Sequence, residues 1–63
     1  MQLTKNLKQL RGKRGLSQKR VADMNGLTRS SYSGYENGVA EPNLCTLVKL
    51  SKFFNVSLDE LIN

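Results

Sequence analysis

Three cations stand where the start of a helix would ordinarily carry acids. In Ser17-Gln18-Lys19-Arg20 and in Thr28-Arg29, a hydroxyl residue directly precedes polar or basic ones. A Ser or Thr in such a place caps a helix, its hydroxyl accepting a backbone N–H of the first turn. The residues after it then lie at the positive end of the helix dipole, where an exposed cation costs roughly 0.3–1 kcal/mol. Ser57-Leu58-Asp59-Glu60 obeys the rule that the other two starts break. There Ser57 and Glu60 form a capping box, and Val56 can staple onto Leu61. Local rules broken at two helix starts and kept at a third point to function at the two. A phosphate beside each start would reverse the penalty, because helix N-termini bind anions and Lys19, Arg20 and Arg29 would then attract.

The elements that must position these side chains follow from the same stretch. Residues 17–38 read as two short helices, about 18–25 and 29–36, joined by a turn at Asn25-Gly26. This is the helix-turn-helix pattern, whose second helix enters the major groove of DNA. Ala22 is small enough for the two helices to cross closely, and Val21 and Leu27 supply apolar anchors under the turn. Asn37-Gly38 stops the second helix. Leu3, Leu7 and Leu10 recur at helical spacing and predict a first helix from about Thr4 to Arg14, ended by Gly15. Pro42-Asn43 introduces a fourth helix, 44–54, capped by Asn43, with Leu44, Leu47, Leu50, Ser51 and Phe54 inward. A fifth is the short 58–62 turn. No strand-like alternation, repeat or linker interrupts them. The expectation is one all-α domain over residues 1–63, a compact five-helix bundle.

Sixty-three residues lie near the lower limit for a self-supporting core. The net charge of +5 is unevenly spread: residues 1–29 balance at +7 and residues 30–63 at −2. A basic half containing the helix pair suits a polyanion partner. The single Cys, Cys45, cannot form an intramolecular disulfide, and with no His a zinc site is not expected. No apolar run is long enough for a membrane span, and the N-terminus lacks the apolar core of a signal peptide. A soluble cytoplasmic protein without metal or cofactor is the expectation.

Nearly the whole chain resembles the Cro/C1-type helix-turn-helix family, small domains of phage repressors and bacterial regulators. The matching pieces are Leu7-x-x-Leu10-Arg11, Gly15-Leu16-Ser17-Gln18, Val21-Ala22, Gly26-Leu27-Thr28-Arg29-Ser30, Tyr35-Glu36-Asn37-Gly38, Pro42, Leu44-x-x-Leu47-x-x-Leu50 and Val56-Ser57-Leu58-Asp59-Glu60-Leu61. The resemblance implies a lambda-repressor-like bundle of five helices that binds operator DNA as a dimer. It implies that Gln18 bonds a phosphate and braces the recognition helix, and that Thr28, Arg29, Ser30, Ser33 and Gly34 occupy that helix's DNA-facing positions. Arg29 could read guanine O6 and N7 together or clamp a phosphate without sequence preference. Gly34 stands where longer polar residues are common. Asn37 and Asn43 flank a loop whose backbone meets the phosphate strand in this family. Arg11 and Glu36 match an ion pair joining helices 1 and 3, and Tyr32 and Tyr35 match core-facing positions.

Two functional classes remain open on the sequence. One is a sequence-specific regulator of transcription, a repressor bound to double-stranded DNA. The other is a protein-interaction module, such as an antitoxin that also binds its own operator. Enzyme function has no support: His is absent, and no Gly-rich phosphate loop or nucleophile motif is present. A homodimer is expected through the C-terminal part, because the basic half would repel its copy. Leu58 is assigned to the monomer core, leaving Phe53, Val56, Leu61 and Ile62 for the dimer.

Overall fold

A computed structural model describes residues 2–63. Its helices are α1 (Leu3–Lys13), α2 (Gln18–Met24), α3 (Arg29–Asn37), α4 (Leu44–Phe54) and α5 (Leu58–Ile62). Among the described residues there is no strand. Boundaries follow the capping chemistry. Ser17, Thr28, Asn43 and Ser57 each accept a backbone N–H three residues on, from Arg20, Ser31, Thr46 and Glu60. The Ser57–Glu60 capping box is complete. Gly26 turns the chain between α2 and α3 at φ +68°, a left-handed conformation that costs glycine little. Asn55 closes α4 in the same region at φ 57°, which short amide side chains tolerate better than most.

The core is one cluster drawn from all five helices: Leu3, Leu7, Val21, Ala22, Tyr32, Leu50, Phe54 and Leu61. Burying an aliphatic or aromatic side chain of this size contributes about 1.5–3 kcal/mol, so a few such residues set the stability of a small chain. The two ends are joined. Gln2 N–H donates to the Ile62 carbonyl at 2.7 Å, and Asn6 Nδ2 donates to the carbonyls of Glu60 and Leu61 at 3.2 and 2.9 Å. This pins α5 across the foot of α1.

Two sequence expectations are corrected. Leu44, expected inward, is 68% exposed; it sits at the first position of α4, beyond the reach of the neighbouring helices. Leu61, expected at the dimer surface, is fully buried, whereas Leu58 is only half-buried. Five residues of helix carry too little periodicity to say which leucine turns inward. Tyr32 and Tyr35 both face the core as expected, Tyr32 fully buried and Tyr35 half-buried against it.

Candidate nucleic-acid interface

A buried carboxylate fixes the second helix of the pair. Glu36 on α3 has no exposed surface. It accepts two bonds from Arg11, from Nε at 2.7 Å and Nη2 at 3.0 Å, and a third from Gln18 Nε2 at 3.1 Å. The same guanidinium donates through Nη1 to the Leu16 carbonyl at 2.9 Å. One acid therefore ties α1, the approach to α2, and α3. Burial by itself would raise the Glu36 carboxyl; the bonds from Arg11 and Gln18 outweigh it and hold the group below the usual carboxylate range. The bond to Glu36 raises the Arg11 guanidinium in turn. Beside them the Tyr32 hydroxyl is buried without a well-formed hydrogen bond. Burial, with the neighbouring carboxylate, pushes its phenol far above the ordinary value.

With Tyr32, Tyr35 and Glu36 turned toward the other helices, the arc of α3 that adjoins Glu36 is open. Arg29, Ser30, Ser33 and Asn37 fall within about 100° of arc at 3.6 residues per turn. Arg29, Ser30 and Asn37 are exposed and Ser33 is half-exposed. Asn37 Nδ2 donates to Ser33 Oγ at 3.1 Å, leaving the Asn37 carbonyl and the Ser33 hydroxyl hydrogen for a ligand. Arg29 makes no hydrogen bond or ion pair among the described residues. Thr28 caps the helix and donates its hydroxyl to Ser31 Oγ at 2.9 Å.

Gly34 does not join this arc. It is buried, and its carbonyl accepts the N–H groups of Val39 and Ala40 at 3.1 and 3.3 Å. A Cβ there would meet Ala40 Cβ at 3.3 Å and Val39 Cγ2 at 3.4 Å. The expected DNA-facing role for Gly34 is therefore corrected: the loop after α3 folds back over it, and glycine permits that approach.

On α2, Gln18 is half-buried and Lys19 and Arg20 are exposed. The Gln18 amide must turn its NH₂ to the carboxylate, since a carboxylate can only accept. Its second N–H and its carbonyl remain for an outside partner. Lys19 Nζ reaches Asp23 Oδ2 at 2.9 Å, with both side chains largely exposed, a contact worth about 0–1 kcal/mol and easily exchanged for a phosphate. Asn43 spends its side-chain carbonyl on the α4 cap, and only its NH₂ is free; it makes no hydrogen bond to α3.

Sequence reasoning missed Arg14, assigned only to the end of α1. Its Nη1 donates to the Phe53 carbonyl at 2.7 Å, and the guanidinium lies 5.3 Å and 5.4 Å from the Phe53 and Phe54 ring centres. A partner 39 positions away leaves no local signal. Phe53 and Val56, grouped together as dimer candidates, line different grooves.

Among the described residues there is no cluster of His, Cys, Asp and Glu that could hold a metal ion. No helix is long and apolar enough to cross a membrane.

Known proteins share this architecture. Residues 7–61 match the helix-turn-helix family model HTH_3. The SPbeta prophage-derived HTH-type transcriptional regulator YonR of Bacillus subtilis is 52% identical over 56 residues, covering 89% of this chain and 52% of that protein. The cryptic phage CTXphi transcriptional repressor RstR of Vibrio cholerae is 39% identical over 57 residues, covering 90% and 51%. The crystal structure of a transcriptional regulator from Listeria innocua superposes with a TM-score of 0.91 at 28% identity, over 97% of this chain and 57% of that one. The chain spans about a third to a half of the length of the relatives it matches. It belongs to the helix-turn-helix family, as one of the Cro/C1-type members.

Proposed function

We propose that this chain is a sequence-specific double-stranded-DNA-binding domain of a transcriptional regulator, and that it acts as a repressor by laying α3 in the major groove of an inverted-repeat operator. The observation that carries the reading is the two-sided character of α3. Tyr32, Tyr35 and Glu36 turn inward, with Glu36 locked by Arg11 and Gln18 at the border, and the adjoining arc presents Arg29, Ser30, Ser33 and Asn37 to the outside. A helix held rigidly by one face and polar on the other suits base-edge readout, where side chains must be placed to within hydrogen-bonding tolerance.

Arg29 is the base reader in this proposal, bonding guanine O6 and N7 together. Gln18, Lys19 and Arg20 contact phosphates and fix register without carrying sequence information. The backbone between Asn37 and Asn43 meets the same strand. Occupying an operator represses without any further surface, and RstR is itself named a repressor. A two-fold pair places two copies of α3 about 34 Å apart, one helical turn. Val56 and Ile62, with the half-buried Leu58, are the apolar contacts we assign to that pair.

Sites selected from a random duplex pool, followed by titration at several salt concentrations, test the proposal. The slope of log affinity against log salt should be about −4 to −8 for a dimer, at roughly −0.9 per neutralised phosphate. A slope near zero would sink the reading. Ile62→Asp should weaken binding to full inverted repeats while sparing single half-sites. Equal binding of both proteins to the full site would place the pairing elsewhere.

A further inference from the structure

We propose that the groove between the end of α2 and the outer face of α4 docks a protein segment that carries an apolar anchor flanked by carboxylates. The groove has a volume of about 520 Å³ and is lined by Met24, Asn25, Gly26, Lys49, Lys52 and Phe53. None of these belongs to the α3 arc or the phosphate contacts assigned above, so the inference does not depend on them.

The floor is apolar. Met24 is 56% exposed, one of three large apolar side chains left open on the surface among the described residues. The Phe53 ring beside it is half-buried and held on its other side. It packs edge-on against Phe54, centre to centre 5.0 Å, and the Arg14 guanidinium lies 5.3 Å from its centre. A fixed aromatic wall beside a flexible thioether makes a pocket that can adapt to an incoming side chain without much ordering cost.

The rim is cationic. Lys49 and Lys52 lie three residues apart on one face of α4. Both are exposed, and neither makes an ion pair among the described residues. No carboxylate lines the groove. This charge selects among occupants. A two-fold contact with a second copy through this groove would bring the lysines against their own counterparts, and like charges facing across an interface are strongly disfavoured. Duplex DNA would satisfy the lysines but leave Met24 and Phe53 against a phosphate backbone. An acidic segment with an apolar side chain between its carboxylates satisfies both floor and rim.

The probe is a short helical peptide of glutamates, leucines and phenylalanine, compared with its counterpart in which every glutamate is lysine. Titration into the isotope-labelled chain should give saturable NMR shifts at the Met24 methyl, the Phe53 ring and the Lys49 and Lys52 amides with the acidic peptide only. Lys49→Glu/Lys52→Glu should weaken that binding by about tenfold, the scale of two partly exposed charge pairs. Met24→Gln, at an exposed position that leaves the core intact, should weaken it as well. The idea is overturned by any of four results: no saturable shift, equal binding of the lysine peptide, the same resonances moving with duplex DNA, or concentration-dependent self-association through these residues.

Discussion

Replacing Arg11 by alanine should do more damage than any surface change, and should reverse how stability responds to acid. Arg11 supplies two of the three hydrogen bonds to a carboxylate with no exposed surface. Breaking a buried pair from one side costs about 3–5 kcal/mol, because the remaining charge is stranded. Here the Arg11 side chain is itself 24% exposed, so water can enter the vacated space, and the Gln18 bond persists. The lost bond to the Leu16 carbonyl adds to the cost. A net loss of about 2–4 kcal/mol follows. At roughly 0.05–0.15 kcal/mol per residue, the whole chain has only about 3–9 kcal/mol.

The acid response distinguishes this mechanism from lost packing. In the parent chain Glu36 is held below its unfolded value. Its contribution is complete above about pH 4.3 and is lost as pH falls through the lower, folded value. Without Arg11, burial dominates and the carboxyl is raised. The folded variant then holds its proton more tightly than the unfolded chain, so that stability is complete below about pH 4.3 and lost as pH rises. The stability gap between the two proteins should therefore narrow on acidification. Urea unfolding of both between about pH 7 and pH 3 measures it, carrying the series below the ordinary glutamate value. A gap below about 1 kcal/mol, the value of an exposed pair, or a gap independent of pH, would refute the role given to this carboxylate.

Arg29→Ala should cost about 1–3 kcal/mol on the preferred operator and relax preference at one base pair, while Gln18→Ala should weaken all duplexes about equally. Affinities on matched and singly substituted operators separate the two, and unchanged base preference in Arg29→Ala would make that residue a phosphate contact. Gly34→Leu should lower stability by about 1–3 kcal/mol through overpacking against the returning loop, read as a fall in the thermal midpoint. An unchanged midpoint would mean that Val39 and Ala40 can move aside freely.

What could be read from the sequence was what is local. The caps at Ser17, Thr28, Asn43 and Ser57 depend on residues three apart, and all four form. The starts of α4 and α5 follow from such caps, and the limits of both helices stand as expected. The Arg11–Glu36 pair joins positions 25 apart and was reached through family resemblance, not through spacing. The corrected residues failed for physical reasons that no window of sequence contains. Gly34 has the position of a DNA-facing residue but is roofed by a loop that bonds back to its own carbonyl. Leu44 keeps the period of the inward stripe but lies at a helix start where nothing packs above it. Leu58 and Leu61 share one face of a helix too short to average out its ends, so the fit against α1 decides between them. Arg14 finds its partner only once α4 has folded across it.

The bond from Gln2 N–H to the Ile62 carbonyl makes this fold almost a closed ring. The contacts of Asn6 with the last helix span 54 and 55 positions, so folding must gather nearly the whole chain to form them. That closure is an entropic debt carried by the unfolded state. Joining the two ends through a short peptide would shrink the loop to a few residues and relieve about 2 kcal/mol of it, from the logarithmic dependence of closure entropy on loop length. A head-to-tail cyclised chain should accordingly unfold at a higher urea concentration than the linear one, with the recognition helix untouched; an unshifted midpoint would mean that the ends are already close in the unfolded chain.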